Sequence, residues 1–385
     1  MKSIYKTLLV TGIVLASVCA CQKWTETQVQ NPIKLTGLVK DDAYYEALRA
    51  YKQTDHSVAF GWFGNWTGTG SSMEHSMMGL PDSVDFVSMW GGWANPSKEK
   101  LEDYRKVREL KGTKALVCFL VFDIGDQITP PAPANYEGEN WRHDFWGWGE
   151  TMEEHIAATE KYAKAILDTI AKYDYDGFDL DAEPSYAQPF ATEKELWRAG
   201  PEIMEAFVNT LATELGPRAG KGKLLVIDGE PEAMDKKYAD AFDYFILQAY
   251  GEYSETSLQN RYNRQVNHWL KAEGEDIGLT AEQVANKLIV CENFEAYAAK
   301  GGVNFTRPDG SRVPSLHGFA MWNPSYDGKT YRKGGVGTYH MEYEYAASGE
   351  VELSGQEGKY KAFEGYACTY PWLRKAIQIM NPRIY

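Results

Sequence analysis

Three acidic residues stand at alternate positions within residues 175–183 and could together carry out acid–base chemistry. If this stretch is a β-strand, Asp179, Asp181 and Glu183 share one face, because successive side chains of a strand alternate between its two sides. Alternate residues are about 6.6 Å apart, so like charges there raise one another's pKa, and we expect at least one acid to stay protonated near neutral pH. A protonated carboxylic acid beside an ionised one is the arrangement that glycosidic bond cleavage requires.

The same alternation occurs in edge strands whose acidic face is simply solvated, so the neighbouring residues must decide between the two interpretations. The opposite face carries only the apolar side chains of Phe178, Leu180 and Ala182, as expected if helices cover it. The stretch ends at Glu183-Pro184, so the predicted strand stops where its last acid is presented. Both features favour a functional site at the end of a buried strand.

Other strands must bring partners to these acids, and eight apolar runs of strand length are spread along the chain. They alternate with helical patterns, which favours a parallel sheet and predicts a closed (β/α)8 TIM barrel, with an open doubly wound sheet as the alternative. We expect some degenerate helices, because the fifth and sixth runs lie close together and the seventh and eighth are joined by a glycine-rich connection. The predicted strands are Val58–Trp62, Val84–Met89, Ala115–Phe122, Gly177–Glu183, Leu224–Ile227, Tyr244–Gln248, Leu288–Cys291 and Gly318–Trp322.

Several helix boundaries are marked by local signals. Ser97, Thr151 and Thr280 are placed to cap helix N-termini, the last two with an acid or amide three residues later that completes a capping box. Gly112 is placed to end the first of these helices. A shorter helix is predicted over residues 41–52.

The active site of such a barrel lies at the C-terminal ends of its strands. Polar and aromatic residues follow nearly every predicted strand, which core packing does not require and a sugar-binding cleft does. The loop 141–148 contains three tryptophans and is predicted to contact a glycan, with a packed lid as the alternative. We predict substrate contacts for Trp62, Asn65, Trp90, Trp146, Asp228, Glu230, Gln248, Asn293 and Trp322.

The acidic stretch also fits a known motif. Asp176, Gly177, Asp179, Asp181 and Glu183 fill every fixed position of Asp-Gly-x-Asp-x-Asp-x-Glu, which resembles the motif of family 18 glycoside hydrolases, the chitinases and endo-β-N-acetylglucosaminidases. The resemblance implies that the substrate's own 2-acetamido oxygen attacks the anomeric carbon. An oxazolinium intermediate then forms, the configuration is retained, and no protein nucleophile is needed.

The resemblance also implies roles for individual residues. Glu183 would be the general acid and then the general base, and Asp181 would bind the acetamido N–H. Asp179 would hold Asp181 and share its proton. Tyr250, at the end of the sixth predicted strand, would hydrogen-bond the acetamido carbonyl, with Gln248 beside it. Trp322 would form the floor under the reacting sugar.

Other interpretations remain open for several of these residues. Tyr250, Gln248 and Trp322 could be ordinary core residues, and Asp228 and Glu230 could solvate a loop. Asp176 has the opposite parity to the three alternating acids, so we expect a structural role for it at the entry to the strand.

The N-terminus predicts export and lipidation. Lys2 and Lys6 precede an apolar run, Leu8 to Val18, that is too short to span a membrane, as in a secretory signal peptide. The segment 18–21 resembles a bacterial lipobox, with the lipid on Cys21. We therefore expect a signal peptide over residues 1–20, a tether over 21–40 and a single catalytic domain over 41–385. The protein would be lipid-anchored in the bacterial cell envelope, on the outer-membrane surface.

Composition narrows the function further. The formal net charge of −14 argues against nucleic acid, whose phosphates require a basic face. No His-Glu-x-x-His segment occurs, and the three cysteines that follow Cys21 are scattered along the chain. We therefore expect no metal site, no cofactor and no disulfide framework. We expect a monomer that acts on an N-glycan or glycoprotein. The leading interpretation is an endo-β-N-acetylglucosaminidase; a chitinase and a non-catalytic glycan-binding lipoprotein are the alternatives. Too few residues separate the seventh and eighth predicted strands for the α+β insertion of many family 18 chitinases.

Overall fold

Eight parallel strands close into a barrel in the computed structural model, which describes residues 40–186 and 193–382. The strands are labelled β1 to β8 in chain order; each pairs with the next, and β8 pairs with β1. The predicted (β/α)8 barrel is confirmed and the open sheet is excluded. The predicted signal peptide and Cys21 lie outside the described residues. The strands are Val58–Phe63, Phe86–Trp90, Lys114–Leu120, Gly177–Ala182, Leu224–Gly229, Tyr244–Gln248, Leu288–Asn293 and Gly335–Tyr339.

Helices cover the outside of this barrel. None in the described ranges has the length and the apolar composition that crossing a membrane would require. The longest, α4, packs against α6, and each buries a row of apolar side chains. The α-helical segments of the described chain, α1 to α12, are Asp42–Tyr51, Lys98–Lys111, Trp141–Trp146, Met152–Tyr173, Glu195–Arg198, Pro201–Leu211, Gly216–Ala219, Glu255–Trp269, Ala281–Lys287, Phe294–Tyr297, Ser315–Met321 and Pro371–Met380.

The helix boundaries predicted from local signals are confirmed. Ser97 caps α2, while Thr151 and Thr280 form capping boxes at the starts of α4 and α9. Helix α2 ends at Gly112, whose φ of 69° lies in the left-handed region that glycine adopts without strain. These features involve residues close together in sequence, which is why the sequence alone reveals them.

The connection between β5 and β6 is one of the expected degenerate ones. It contains only two short 3-10 turns, Pro231–Ala233 and Lys236–Tyr238, where a complete barrel unit would have an α-helix. The connection to the next strand is therefore short. The residues just after β5 lie close to the end of β4. Glu230 donates its backbone N–H to the carbonyl of Ala182 at 2.7 Å, so this connection is fixed beside the acidic stretch.

The predicted eighth strand, Gly318–Trp322, is wrong. These residues belong to α11 and its C-terminal cap, and the eighth strand is Gly335–Tyr339, which pairs with both β7 and β1. The residues of α11 are almost all buried, so the helix reads as a continuous apolar run that periodicity cannot distinguish from a strand.

The true strand was overlooked because it contains two glycines. A Cβ atom on Gly335 would lie 2.1 Å from the carbonyl oxygen of Val58, and one on Gly337 would lie 2.6 Å from the ring of Phe60. Side chains are therefore excluded where β8 approaches β1 to close the barrel. Because glycines stand where apolar side chains would otherwise be, the sequence of this strand is not a continuous apolar run.

A repeated set of aspartates lies at the N-terminal end of the barrel. Each precedes an even-numbered strand and accepts the N–H of the second residue of the strand before it. The pairs are Asp85 with Ala59 at 2.8 Å, Asp176 with Ala115 at 2.9 Å, and Asp243 with Leu225 at 2.9 Å. Asp176 also accepts the hydroxyl of Tyr104 at 2.8 Å, which confirms its predicted structural role at the strand entry.

Candidate active site

Buried carboxyl groups gather inside the barrel at the C-terminal ends of β4 and β5. Asp179 and Asp228 are fully buried and Asp181 is 2% exposed. The parallel register places Asp228 of β5 directly beside Asp181 of β4. Glu183 follows the last residue of β4 and is half-buried, so it is the member of the set that can meet a ligand. The alternation of the three acids in the sequence therefore does place them in one row facing the barrel interior.

Asp179 is the best supported of these acids. The hydroxyl of Ser88 donates to its Oδ2 at 2.5 Å, and Asp228, Cys118 and Trp62 lie within hydrogen-bonding reach of it. Burial raises the pKa of Asp179 to about 6, and these hydrogen bonds offset part of the increase. Of the three buried aspartates, Asp179 is therefore the one that most readily carries a negative charge at neutral pH.

Asp181 and Asp228 have fewer such donors, and Oδ2 of Asp228 has none. Burial, followed by the charges of their acidic neighbours, raises the pKa of both carboxyl groups well above the usual range. One oxygen on each of Asp179, Asp181 and Asp228 is buried without a hydrogen-bond donor. Three like groups in this position can coexist only if they share protons, so the cluster titrates as a unit.

Glu183 has the properties of a general acid. Burial raises its pKa and the nearby carboxylate of Glu230 adds to the increase, whereas a hydrogen bond from Gln248 lowers it. Gly229 lies against this side chain: a Cβ there would be 2.8 Å from Cγ of Glu183. Gln248 also donates to Oδ1 of Asp228 at 3.0 Å, so its amide links the acids of two strands.

Aromatic rings surround the acids at the same end of the barrel. Tyr339, the last residue of β8, has its ring centroid 6.0 Å from that of Tyr250, 5.5 Å from Trp90 and 6.1 Å from Trp62. Tyr250 is near Asp181 and Asp228, and burial raises the pKa of its hydroxyl well above the usual range, so it remains a hydrogen-bond donor. Tyr339 is not among the predicted site residues, because the strand that ends with it is not among the predicted strands.

Trp322 does not lie at this site, and its predicted role as the floor is wrong. It ends α11, and its carbonyl accepts a hydrogen bond from the buried ammonium of Lys333, just before β8 begins. The carbonyl of Lys333 in turn accepts the hydroxyl of Ser57, just before β1, so this region is at the N-terminal end of the barrel. Tyr339 occupies the end of the eighth strand instead.

The burial of two further tryptophans contradicts their predicted contacts with substrate. Trp62 is only 1% exposed and packs beneath the acids, so it has no open face for a sugar. Trp146 is 4% exposed, donates to the hydroxyl of Thr129 at 2.8 Å and packs against Tyr162. The loop 141–148 is thus packed at Trp146, as in the lid alternative, while Trp148 is stacked on His155.

The remaining predicted contacts lie at the rim. Trp90 is half-buried at the end of β2, and Asn65 is exposed, with its amide donating to Glu342 at 3.2 Å. Asn293 caps α10 by accepting the N–H of Ala296, which gives it a structural role. Glu230 accepts the N–H of Ser185 and lies near Glu183.

Cys118, Asp179 and Asp228 are close enough to form a metal-ligand group, since their ligand atoms all lie within 4.8 Å of one another. Burial and the neighbouring acids, however, raise the pKa of the Cys118 thiol well above its usual range. A protonated thiol is a poor metal ligand, so the chemistry of this set favours proton sharing over metal binding.

Comparisons with known proteins agree with this geometry. A family model described as glycoside hydrolase family 18, BT1044-like, matches residues 23–353. The chain is 25% identical over 348 residues to endo-β-N-acetylglucosaminidase F2 of Elizabethkingia meningoseptica, which covers 87% of this chain and 85% of that protein.

Solved structures show the same relationship. BT1044, in a selenomethionine form with a glutamate-to-glutamine substitution, has 31% identity and a TM-score of 0.68, covering 89% of this chain and 93% of that one. An endo-β-N-acetylglucosaminidase from Cordyceps militaris shares the fold, with 21% identity, a TM-score of 0.56, and coverage of 90% and 98%. The family match spans most of the barrel and includes the acidic motif. The chain therefore belongs to glycoside hydrolase family 18, in its BT1044-like group, and is a glycoside hydrolase of the endo-β-N-acetylglucosaminidase type.

Proposed function

We propose that the enzyme hydrolyses the GlcNAc-β1,4-GlcNAc bond in the core of N-linked glycans, with retention of configuration through an oxazolinium intermediate. The observation that carries this proposal is the row of buried acids ending in Glu183, beside Tyr250 and Gln248. The similarity to endo-β-N-acetylglucosaminidase F2 supports the choice of substrate.

Glu183 performs the proton transfers in this mechanism. Its raised pKa favours the protonated form, in which it gives its proton to the leaving glycosidic oxygen while the C–O bond breaks. The acetamido oxygen forms the new bond to the anomeric carbon at the same time. In the second step the Glu183 carboxylate takes a proton from water, whose oxygen attacks the anomeric carbon and displaces the acetamido oxygen. Glu183 is then protonated again.

Asp181 and Tyr250 hold the acetamido group. The carboxyl group of Asp181 accepts the amide N–H, which turns the carbonyl oxygen towards the anomeric carbon and stabilises the positive charge of the oxazolinium ring. The hydroxyl of Tyr250 remains protonated and donates to the acetamido oxygen. Asp179 supplies the negative charge behind Asp181, because burial raises its pKa only to about 6, less than it raises the pKa of Asp181 or Asp228.

One sequence argument against a chitinase does not hold. The sequence predicts a connection between the seventh and eighth strands that is too short for an α+β insertion. That prediction depends on the predicted eighth strand, Gly318–Trp322, which is wrong. The connection runs over residues 294–334 and contains α10, α11 and a hairpin of three-residue strands, Asn304–Thr306 and Arg312–Pro314. The preference for N-glycans therefore rests on the similarity to endo-β-N-acetylglucosaminidases.

The test is product analysis with wild type and Glu183→Gln. Wild type is incubated with high-mannose, hybrid and complex glycoproteins and with chitin oligomers. Released glycans that leave one GlcNAc on the protein support the proposal; chitobiose release identifies a chitinase, and no release identifies a binding protein. Glu183→Gln should lose about 10³-fold in kcat and still bind, because the proton donor is gone but the shape is kept.

A matched control separates this effect from a general effect of the substitution. Glu160→Gln on α4 makes the same chemical change at a surface ion pair with Lys164 and should keep wild-type turnover. If Glu183→Gln also kept wild-type turnover, Glu183 would not be the general acid.

We also propose that the enzyme is anchored through a lipid on Cys21 at the cell envelope. The lipobox-like segment 18–21 supports this, although it lies outside the described residues. Labelling cells with a clickable palmitate analogue should mark the wild-type protein but not Cys21→Ser. Labelling of both proteins would contradict the proposal.

A further inference from the structure

Asp228 lies outside the sequence motif but inside the acid cluster. It is fully buried, it stands beside Asp181 in the strand register, and it is within hydrogen-bonding reach of both Asp179 and Asp181. The other polar or titratable groups that face it are Glu183 just after β4, Cys118 from β3, Gln248 from β6 with Tyr250 just after it, and Cys291 from β7. None of these groups is a cation; the amide of Gln248 is the one neutral donor in this set that favours an ionised Asp228, and burial and the neighbouring acids oppose it.

The hydrogen bonds of Asp228 indicate where a proton belongs. Its Oδ1 accepts the Gln248 amide at 3.0 Å, while its Oδ2 is buried without a partner. Oδ1 of Asp179 and Oδ1 of Asp181 are also buried without a donor. A buried oxygen without a donor is costly, and a single proton on Oδ2 of Asp228 would turn that atom into a donor for its neighbours.

Asp228 suits this task better than either of the other two acids. Asp179 is already supplied with donors, including Ser88, which favour its charged form. In the proposed mechanism Asp181 must accept the acetamido N–H. Asp228 has neither requirement, and its link to Gln248 holds its carboxyl group in one orientation.

We propose that Asp228 holds a proton on Oδ2 and donates it in a hydrogen bond to the Asp179–Asp181 pair, so that this pair carries one negative charge while the acetamido group attacks. This inference rests on the proposed function and makes Asp228 a positioning residue that acts through the pair. Burial and the neighbouring acids raise the pKa of Asp228 well above its usual range, which agrees with this role.

Two variants test the proposal. In Asp228→Asn the new carbonyl can still accept from Gln248 and the new N–H can donate to the pair, so kcat should stay within about tenfold of wild type. In Asp228→Ala the donor is lost, and kcat should fall about 10²-fold, as for loss of one preorganised donor. Equal losses in the two variants would overturn the proposal.

The pH profile gives a readout that a purely structural role would not change. A hydrogen bond to an ionised group lowers its pKa, so losing the donor in Asp228→Ala should move the acidic limb of the kcat profile to higher pH. Asp228→Asn should leave both limbs in place, because one neutral group replaces another. If Asp228 were ionised instead, Asp228→Asn would remove a negative charge near Glu183, lower the pKa of Glu183 and shift the alkaline limb to lower pH. That shift would also overturn the proposal.

Infrared difference spectroscopy decides the protonation state without relying on activity or on the folding of Asp228→Ala. Wild type at neutral pH should show a protonated-carboxyl C=O band that Asp228→Asn lacks; if the two spectra match in this region, the proposal fails. Asp243→Asn, at a half-buried acid at the other end of the barrel, is the control and should leave the kcat limbs unchanged. The proposed function is tested separately by Glu183→Gln and the reaction products.

Discussion

The two ends of the barrel use the same kind of side chain for opposite purposes. At the N-terminal end, Asp85, Asp176 and Asp243 each accept a backbone N–H from a neighbouring strand. At the C-terminal end, Asp181 and Asp228 each keep a buried oxygen without any donor. The first set joins strands and has satisfied hydrogen bonds, whereas the second crowds like groups together and must share protons. Hydrogen-bond satisfaction therefore separates these structural acids from the functional ones.

The largest effect is expected at the unsatisfied end. Asp181→Asn should lower kcat by about 10²- to 10³-fold, because the charged oxazolinium ring loses its stabilising carboxylate. The free energy of unfolding should not fall, since a neutral amide replaces a crowded acid. Steady-state kinetics and urea denaturation measure the two quantities. If Asp181→Asn lost stability in parallel with kcat, the acids at the C-terminal end would be structural like those at the N-terminal end, and the comparison would fail.

The satisfied end should show the reverse pattern. Asp176→Ala leaves the N–H of Ala115 without its acceptor and removes one of the two acceptors near the Tyr104 hydroxyl, so the free energy of unfolding should fall by about 1–3 kcal/mol. The kcat of the folded fraction should remain that of wild type. Asp243→Ala, which removes the acceptor of the Leu225 N–H, is expected to behave in the same way. A loss of kcat without a loss of stability in Asp176→Ala would contradict the structural role.

The pH dependence of stability sharpens the comparison. The pKa of Asp179 is raised to about 6 in the folded state, from about 3.9 in an unfolded chain. A raised pKa means that the folded state binds the proton more tightly, so this contribution to stability is complete below the unfolded value and is lost as the pH rises through the folded one. Asp179→Asn should therefore flatten the fall in unfolding free energy between about pH 4 and 6. An equally steep fall in the variant would show that another group is responsible.

The smallest effect is expected at the aromatic rim. Tyr339→Ala removes the ring that contacts Tyr250 and Trp90, and should raise KM about fivefold, since aromatic contacts of this kind contribute about 1 kcal/mol. Tyr339→Phe keeps the ring and should resemble wild type. A large loss of kcat in Tyr339→Phe would show instead that the hydroxyl takes part in the chemistry.

Much of the fold and the centre of the site could be predicted from the sequence. The alternation of Asp179, Asp181 and Glu183, the capping boxes at Thr151 and Thr280, and seven of the eight strands all depend on residues that are neighbours in the chain. Such patterns are set by strand and helix periodicity, which sequence spacing reveals directly. The parity of Asp176 likewise separated it from the catalytic row, and its hydrogen bonds agree.

Only the tertiary structure decided what depends on distant parts of the chain. The eighth strand is Gly335–Tyr339, because barrel closure excludes side chains at its glycines, and this choice moves Trp322 away from the site and brings Tyr339 to it. The lack of a donor to Oδ2 of Asp228 and the burial of Trp146 likewise follow from contacts between separate segments. The type and local order of residues determined the secondary structure and the row of acids. Which of their neighbours are satisfied, buried or open to a sugar depends on packing across the barrel, which local spacing does not encode.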